Sequence, residues 1–266
     1  MYAAAPAPGR GRPAARVALI DSGLGLVSYA QALLARRPDV SLVLSLDPDN
    51  MPYGPRTPEE VRHLILESAR ATLVYEPDAI VVACNTASVH GLEALRAEVE
   101  PAIPVIGTVP AIRPAAALGG PVAVWATAAT ASSDYLRGLI DAFAADLDTF
   151  AVPAHGLAEA IEAADPAAVD ACIAAAAART PPDVRALVLG CTHYGLVADR
   201  IAAAVGESVT IFDSPVAVAR QTLRRLGLDP DLDPDSDLDP GAPVGGVEAV
   251  LLSGRLGEAR GIHFHP

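Results

Sequence analysis

From Arg16 onward the chain alternates short, uninterrupted apolar runs with stretches whose apolar residues recur at helical spacing. RVALI, SLVLSL and AIVVA, beginning at residues 16, 41 and 79, predict three β-strands, with helices over about 28–37 and 58–75 between them. Val/Ile/Leu runs without polar alternation fit strands covered on both faces, and hence a parallel sheet flanked by helices. PVIG at 104–107 follows, and VPAIRPA then reads as a crossing into a second body.

A second series repeats the order. PVAVWAT at 121–127 is its first strand, then come a helix over about 134–145, the run TFAVP, an alanine-rich helix over about 164–179, and ALVLG at 186–190. In both series the first strand ends in acidic or hydroxyl residues (Asp21 and Ser22; Thr127 and Thr130) and the last ends in a cysteine. The shared order reads as an internal duplication. VTIFD, a helix over 215–226 and a returning strand VEAVLLSG complete the pattern. The expected fold class is α/β, with two similar lobes, each a mainly parallel sheet flanked by helices. The first lobe is expected over 16–108 plus 216–266 and the second over 109–215. Ligands of such sheets bind at the carboxyl ends of the strands, which places the active site in the interlobe cleft.

Composition narrows the function classes. A hydrophobic share of 52% over 266 residues is that of a globular interior, and residues 1–15, rich in Ala, Pro, Gly and Arg, read as a disordered arm without the apolar stretch of a signal peptide. A net charge of -13 with no basic cluster argues against nucleic acid or an anionic membrane as partner, and Pro, Gly or charge interrupts every apolar run before it reaches transmembrane length. Three cysteines without a CxxC pair suit a reducing cytoplasm better than a disulfide framework. The acidic stretch DPDLDPDSDLDP at 229–240 lacks the glycine and terminal glutamate of an EF-hand and reads as a solvated loop.

Candidate chemistry centres on Cys84 and Cys191. Each closes a buried strand and opens a turn or helix start, NTAS and THYG, where free N–H groups favour a thiolate. An isolated cysteine there would read as a small buried hydrophobe, as Cys172 does in its alanine-rich helix, but two in matched surroundings point to two sulfurs addressing one ligand. The chain has no lysine, which forbids the Schiff base of pyridoxal phosphate chemistry, so proton transfer at carbon would run without that cofactor. Cys191 with His193 and Asp21 could instead form a nucleophilic acyl-transfer site, or Cys84, Cys191 and His193 a zinc site.

VALIDSGLG, DPDNMPYGPRTPEEV, ACNTAS, LGCTHYG and IFDSPVAVA, in this order, resemble the cofactor-independent aspartate/glutamate racemase superfamily, and the PYG segment is most similar to its glutamate racemases. The resemblance spans roughly residues 16–226. It implies an amino-acid racemase with an acidic small-molecule substrate, no cofactor and no metal, in which Cys84 and Cys191 act as acid and base across the α-carbon. Other members isomerise or decarboxylate dicarboxylates, and a homodimeric assembly is compatible with the sequence. Asp21, Ser22, Tyr53, Gly54, Asn85, Thr86, Thr192 and His193 match substrate-contact positions, and Asp21 and His193 are expected to assist the thiols. The superfamily has a further glutamate in the second lobe, for which Glu159 is the nearest candidate, although VPAHGLAEAI departs from the pattern there. Leu26 stands in place of a usual glycine near the substrate turn, and Gly195 in place of a usual proline.

Overall fold

The computed structural model describes residues 14–232 and 244–258, which divide into two compact units, 14–108 with 215–232 and 244–258, and 109–214. The first unit contains β1 (Arg16–Asp21), α1 (Leu26–Leu34), β2 (Ser41–Leu46), α2 (Pro58–Thr72), β3 (Ala79–Val82), α3 (Asn85–Val99) and β4 (Val105–Gly107). The second contains α4 (Ile112–Ala117), β5 (Val122–Ala126), α5 (Ala128–Ala131), α6 (Asp134–Phe143), β6 (Thr149–Pro153), α7 (Leu157–Glu162), α8 (Pro166–Ala177), β7 (Ala186–Leu189), α9 (Ala198–Val205) and β8 (Thr210–Phe212). The chain then returns to the first unit with α10 (Pro215–Arg225), β9 (Gly246–Leu252) and β10 (Arg255–Gly257).

The first sheet has the order β10-β9-β2-β1-β3-β4 and the second β6-β5-β7-β8. Every pairing is parallel except β9 with β10. The stretch β2-β1-β3-β4 therefore has the same connectivity as β6-β5-β7-β8, and the duplication read from element order is present in the strand order. Strands β3, β5 and β7 are buried along their whole length, as their continuous apolar runs require. Edge strand β6 departs from that reading, for Phe150 and Ala151 are exposed.

Local signals account for several boundaries. Thr57 and Glu60 form a reciprocal capping box with Pro58 in the first turn, and Asp165 accepts from the N–H groups of Ala167 and Ala168. Helix α2 tightens into a 3₁₀ turn at Leu73–Tyr75, which ends on Glu76 in the left-handed region. NTAS opens a fifteen-residue helix, α3, and the expected crossing VPAIRPA contains the start of α4.

Residues 1–13 of the expected arm and 233–240 of the acidic loop lie outside the described residues. Ala14 and Ala15 do not belong to an arm: the Ala14 N–H donates to the Asp39 carbonyl at 3.2 Å and Ala15 is 4% exposed. Within the described part of that stretch, Asp231 pairs with Arg220.

Asp39 is held by the Arg37 guanidinium through two hydrogen bonds of 2.8 and 2.7 Å, which keep its carboxyl below the usual carboxylate range. A depressed carboxyl contributes stability above its unfolded pKa and loses it as pH falls through the folded value. Asp39→Asn is expected to unfold about 1 kcal/mol more easily at neutral pH. In a denaturant series that difference should close below about pH 4.

Candidate active site

Each unit delivers one cysteine by the same backbone construction. The Ala83 N–H donates to the Ile20 carbonyl at 2.8 Å, and the Gly190 N–H to the Trp125 carbonyl at 2.7 Å. These bonds carry β3 and β7 one step past their ladders, so Cys84 and Cys191 emerge at the carboxyl ends of the central strands. Both are extended residues at a helix start, with φ/ψ of -137°/122° and -131°/136°. Continuing the registers of β1 with β3 and of β5 with β7 sets Ser22 level with Cys84, and Thr127 level with Cys191.

The close passage of β7 along β5 depends on a glycine. A Cβ at position 190 would lie 2.8 Å from the Trp125 carbonyl oxygen and 3.1 Å from the Ala126 Cβ. Gly190→Ala is expected to destabilise the second unit by about 1–3 kcal/mol and to move the adjacent Cys191. Thermal unfolding measures the first effect, and the loss of Cys191-dependent activity the second.

Around Cys84 the polar groups are buried and directed. Asp21, fully buried, accepts from the Ser22 N–H at 2.7 Å. The Tyr53 hydroxyl donates to Asp47 Oδ2 at 2.8 Å, and Tyr53 belongs to the same buried cluster as Cys84. Burial first, and then the Asp47 carboxylate, push the Tyr53 hydroxyl far above the usual phenol range, so it is a neutral donor. Asp47 also accepts from Asn50 Nδ2 and the Ser253 hydroxyl. Asn85 is buried in the first turn of α3, while Thr86 and Gly54 are half-buried. A cavity of about 660 Å³ between α2 and the β9–β10 turn shares Asp47 with this network, but its lining contains neither cysteine.

Around Cys191 the construction differs. Thr192–Val197 is a 3₁₀ helix, and it sets His193 Nδ1 3.9 Å from the Cys191 sulfur. The other imidazole nitrogen, Nε2, is 2.9 Å from Oε2 of Glu162, the last residue of α7. A carboxylate, an imidazole and a sulfur thus lie in line, with His193 only 3% exposed. A proton on Nε2, shared with the carboxylate, leaves Nδ1 as an acceptor towards the thiol. The Tyr194 hydroxyl donates to the Ala154 carbonyl, and burial holds it well above the usual phenol range.

Glu159 is exposed, and the glutamate on His193 is Glu162, one helical turn further along α7. Leu26, the first residue of α1, is fully buried. Asp47 is not among the residues that the sequence points to, and Thr127 appears there only as a strand end matched to Ser22 across the two series. Among the described residues no three His, Cys, Asp or Glu side chains are grouped to hold a metal ion.

The sequence model of the Asp/Glu/hydantoin racemases matches residues 25–222. The chain belongs to this family. It is 36% identical over 217 residues to the glutamate racemase of Clostridium perfringens, covering 80% of this chain and 83% of that one. The glutamate racemase of Pseudomonas aeruginosa is likewise 36% identical over 217 residues, 80% of this chain and 82% of the relative. Among solved structures, Escherichia coli glutamate racemase in complex with L-glutamate and the activator UDP-MurNAc-Ala superposes with a TM-score of 0.73 at 28% identity, covering 93% of this chain and all of that one. The family match takes in both cysteines, His193 and Glu162; Asp21 and Ser22 precede it.

Proposed function

We propose that the chain is a cofactor-independent glutamate racemase that interconverts L- and D-glutamate through Cys84 and Cys191. The observation that carries this reading is the pair of cysteines at equivalent positions of a duplicated sheet. One thiolate takes the α-proton, and the electron pair of the broken C–H bond spreads into the α-carboxylate. The opposite thiol then gives its proton to the other face of the carbon, and the two sulfurs have exchanged protonation states.

A general acid or base supplies about 10²–10⁴-fold, so donors must also stabilise the charge gathering on the carboxylate. Ser22, Asn85, Thr86 and Thr192 fill that role, the last three beside helix starts. Without a lysine the chain cannot form the Schiff base by which pyridoxal phosphate would do the same work. The D-glutamate formed is a precursor of cell-wall peptidoglycan. Cytoplasmic residence goes with this reading, supported by three cysteines with free thiols; among the described residues no helix is long and apolar enough to cross a membrane.

The His193–Glu162 pair beside Cys191 also suits a nucleophilic thiol in an acyl-transfer enzyme, but that reading leaves Cys84 without a task. In deuterated water each glutamate enantiomer is expected to lose its α-proton NMR signal while optical rotation decays to zero. Retention of the signal with both enantiomers, or an acyl-enzyme mass on Cys191, would overturn the racemase reading.

A further inference from the structure

We infer that Ser88, Thr108 and Tyr29 are positioning residues that aim Cys84, an inference that rests on the racemase reading. Ser88 straddles the cysteine. Its N–H donates to the Cys84 carbonyl at 2.8 Å, and its hydroxyl donates to the Val82 carbonyl, two residues before the cysteine, at 3.2 Å. The same Ser88 oxygen accepts the Thr108 N–H at 3.0 Å, and the Thr108 hydroxyl is 2.8 Å from the Tyr29 hydroxyl. The strand end before the thiol, the helix start after it, the exit of β4 and helix α1 are therefore joined through one serine oxygen and one hydroxyl pair.

The pair is deeply buried, with Tyr29 2% and Thr108 0% exposed. A buried neutral hydrogen bond is worth about 1 kcal/mol, and apolar residues of the same shape in both places would be close to neutral. Its distinguishing contribution is thus direction: it fixes where the Thr108 N–H points, hence the Ser88 oxygen and the turn that presents Cys84. The second unit is built differently at the matching place. Four residues after Cys191 stands Gly195, which has no side chain to bridge the turn, and the backbone bond there runs from the Tyr194 N–H to the Cys191 carbonyl. Cys84 is aimed by its backbone, whereas Cys191 is served by His193.

A misplacement of about 1 Å at a reacting group can lower a rate by 10²-fold, but overall turnover would not locate the damage. The enantiomers have equal free energy, so kcat/KM must stay equal in both directions for every variant. The test therefore uses the half-reactions. Ser88→Ala and Tyr29→Phe are each placed in a Cys191→Ala background, where only Cys84 exchanges the α-proton with deuterated water, and in a Cys84→Ala background, where only Cys191 does. We expect Ser88→Ala to slow Cys84-only exchange by about 10-fold or more and Tyr29→Phe by a smaller factor, with Cys191-only exchange changed less than twofold by either. Equal slowing in the two backgrounds, or no slowing by either substitution with Cys84 alone, overturns the inference. Tyr29→Phe keeps the ring and its packing, so it remains readable if Ser88→Ala fails to fold. An unsubstituted protein that exchanges neither enantiomer would instead overturn the racemase reading.

Discussion

Cys84→Ala and Cys191→Ala are each expected to bring racemisation down to background, at least the 10²–10⁴-fold that one acid–base group supplies, while leaving hydrogen exchange from opposite enantiomers. The asymmetry follows from the two-thiol scheme. A protein without Cys84 can still use Cys191 to take the proton from the face it addresses, and solvent deuterium on that sulfur returns to the same face. The substrate is labelled but not inverted. The reverse holds without Cys191, so the two variants should give complementary patterns when L- and D-glutamate are followed separately by NMR in deuterated water. Exchange of the same enantiomer by both variants, or of both enantiomers by either, would refute the scheme. Cys172→Ala is the control: this thiol lies on α8, 3.5 Å from where a Cβ on Gly156 would fall, and its removal should leave turnover unchanged.

The layout of this site was legible in the chain to an unequal degree. Strands buried on both faces leave continuous apolar runs, so β1, β3, β5 and β7, and the cysteines that follow β3 and β7, could be located from the residues alone. The extent of α3 could not, because NTASVHGLEALRAEV mixes polar residues with a mid-helix glycine, Gly91, that has its own packing reason: a Cβ there would lie 2.3 Å from an Ile65 methyl. Nor could the inward turn of Asp47, one of three acidic or amide residues in DPDN. Asp47 is 3% exposed and binds Tyr53, whereas Asp49 faces outward to Arg255. The choice depends on the β9–β10 turn, whose Ser253 lies 206 residues further along and caps the Asp47 carboxylate. Local pattern carries no information about a partner so distant.

The second glutamate is the clearest such case, and its removal should have the next largest effect. Glu159 and Glu162 are three positions apart on one short helix, so spacing alone cannot say which reaches His193; the start of α7 after the left-handed Gly156 decides it. Glu162→Gln is expected to reduce kcat/KM by about 10²-fold, the lower end of the contribution of one acid–base group, and Glu159→Gln to leave it nearly unchanged. The carboxylate of Glu162 can only accept, which keeps the shared proton on Nε2 and leaves Nδ1 free to take a proton from the Cys191 side. A glutamine amide can donate to Nε2 instead, which puts the imidazole proton on Nδ1, pointing at the sulfur. His193 then stabilises a thiolate but no longer accepts from a thiol. Because kcat/KM must fall equally for the two enantiomers, the altered tautomer should appear as a split in kcat and KM between the two directions, and as slowed exchange in the Cys84→Ala background with little change in the Cys191→Ala background. Equal effects of Glu159→Gln and Glu162→Gln would show that neither carboxylate orients the imidazole, and the line from carboxylate to sulfur would then have no part in catalysis.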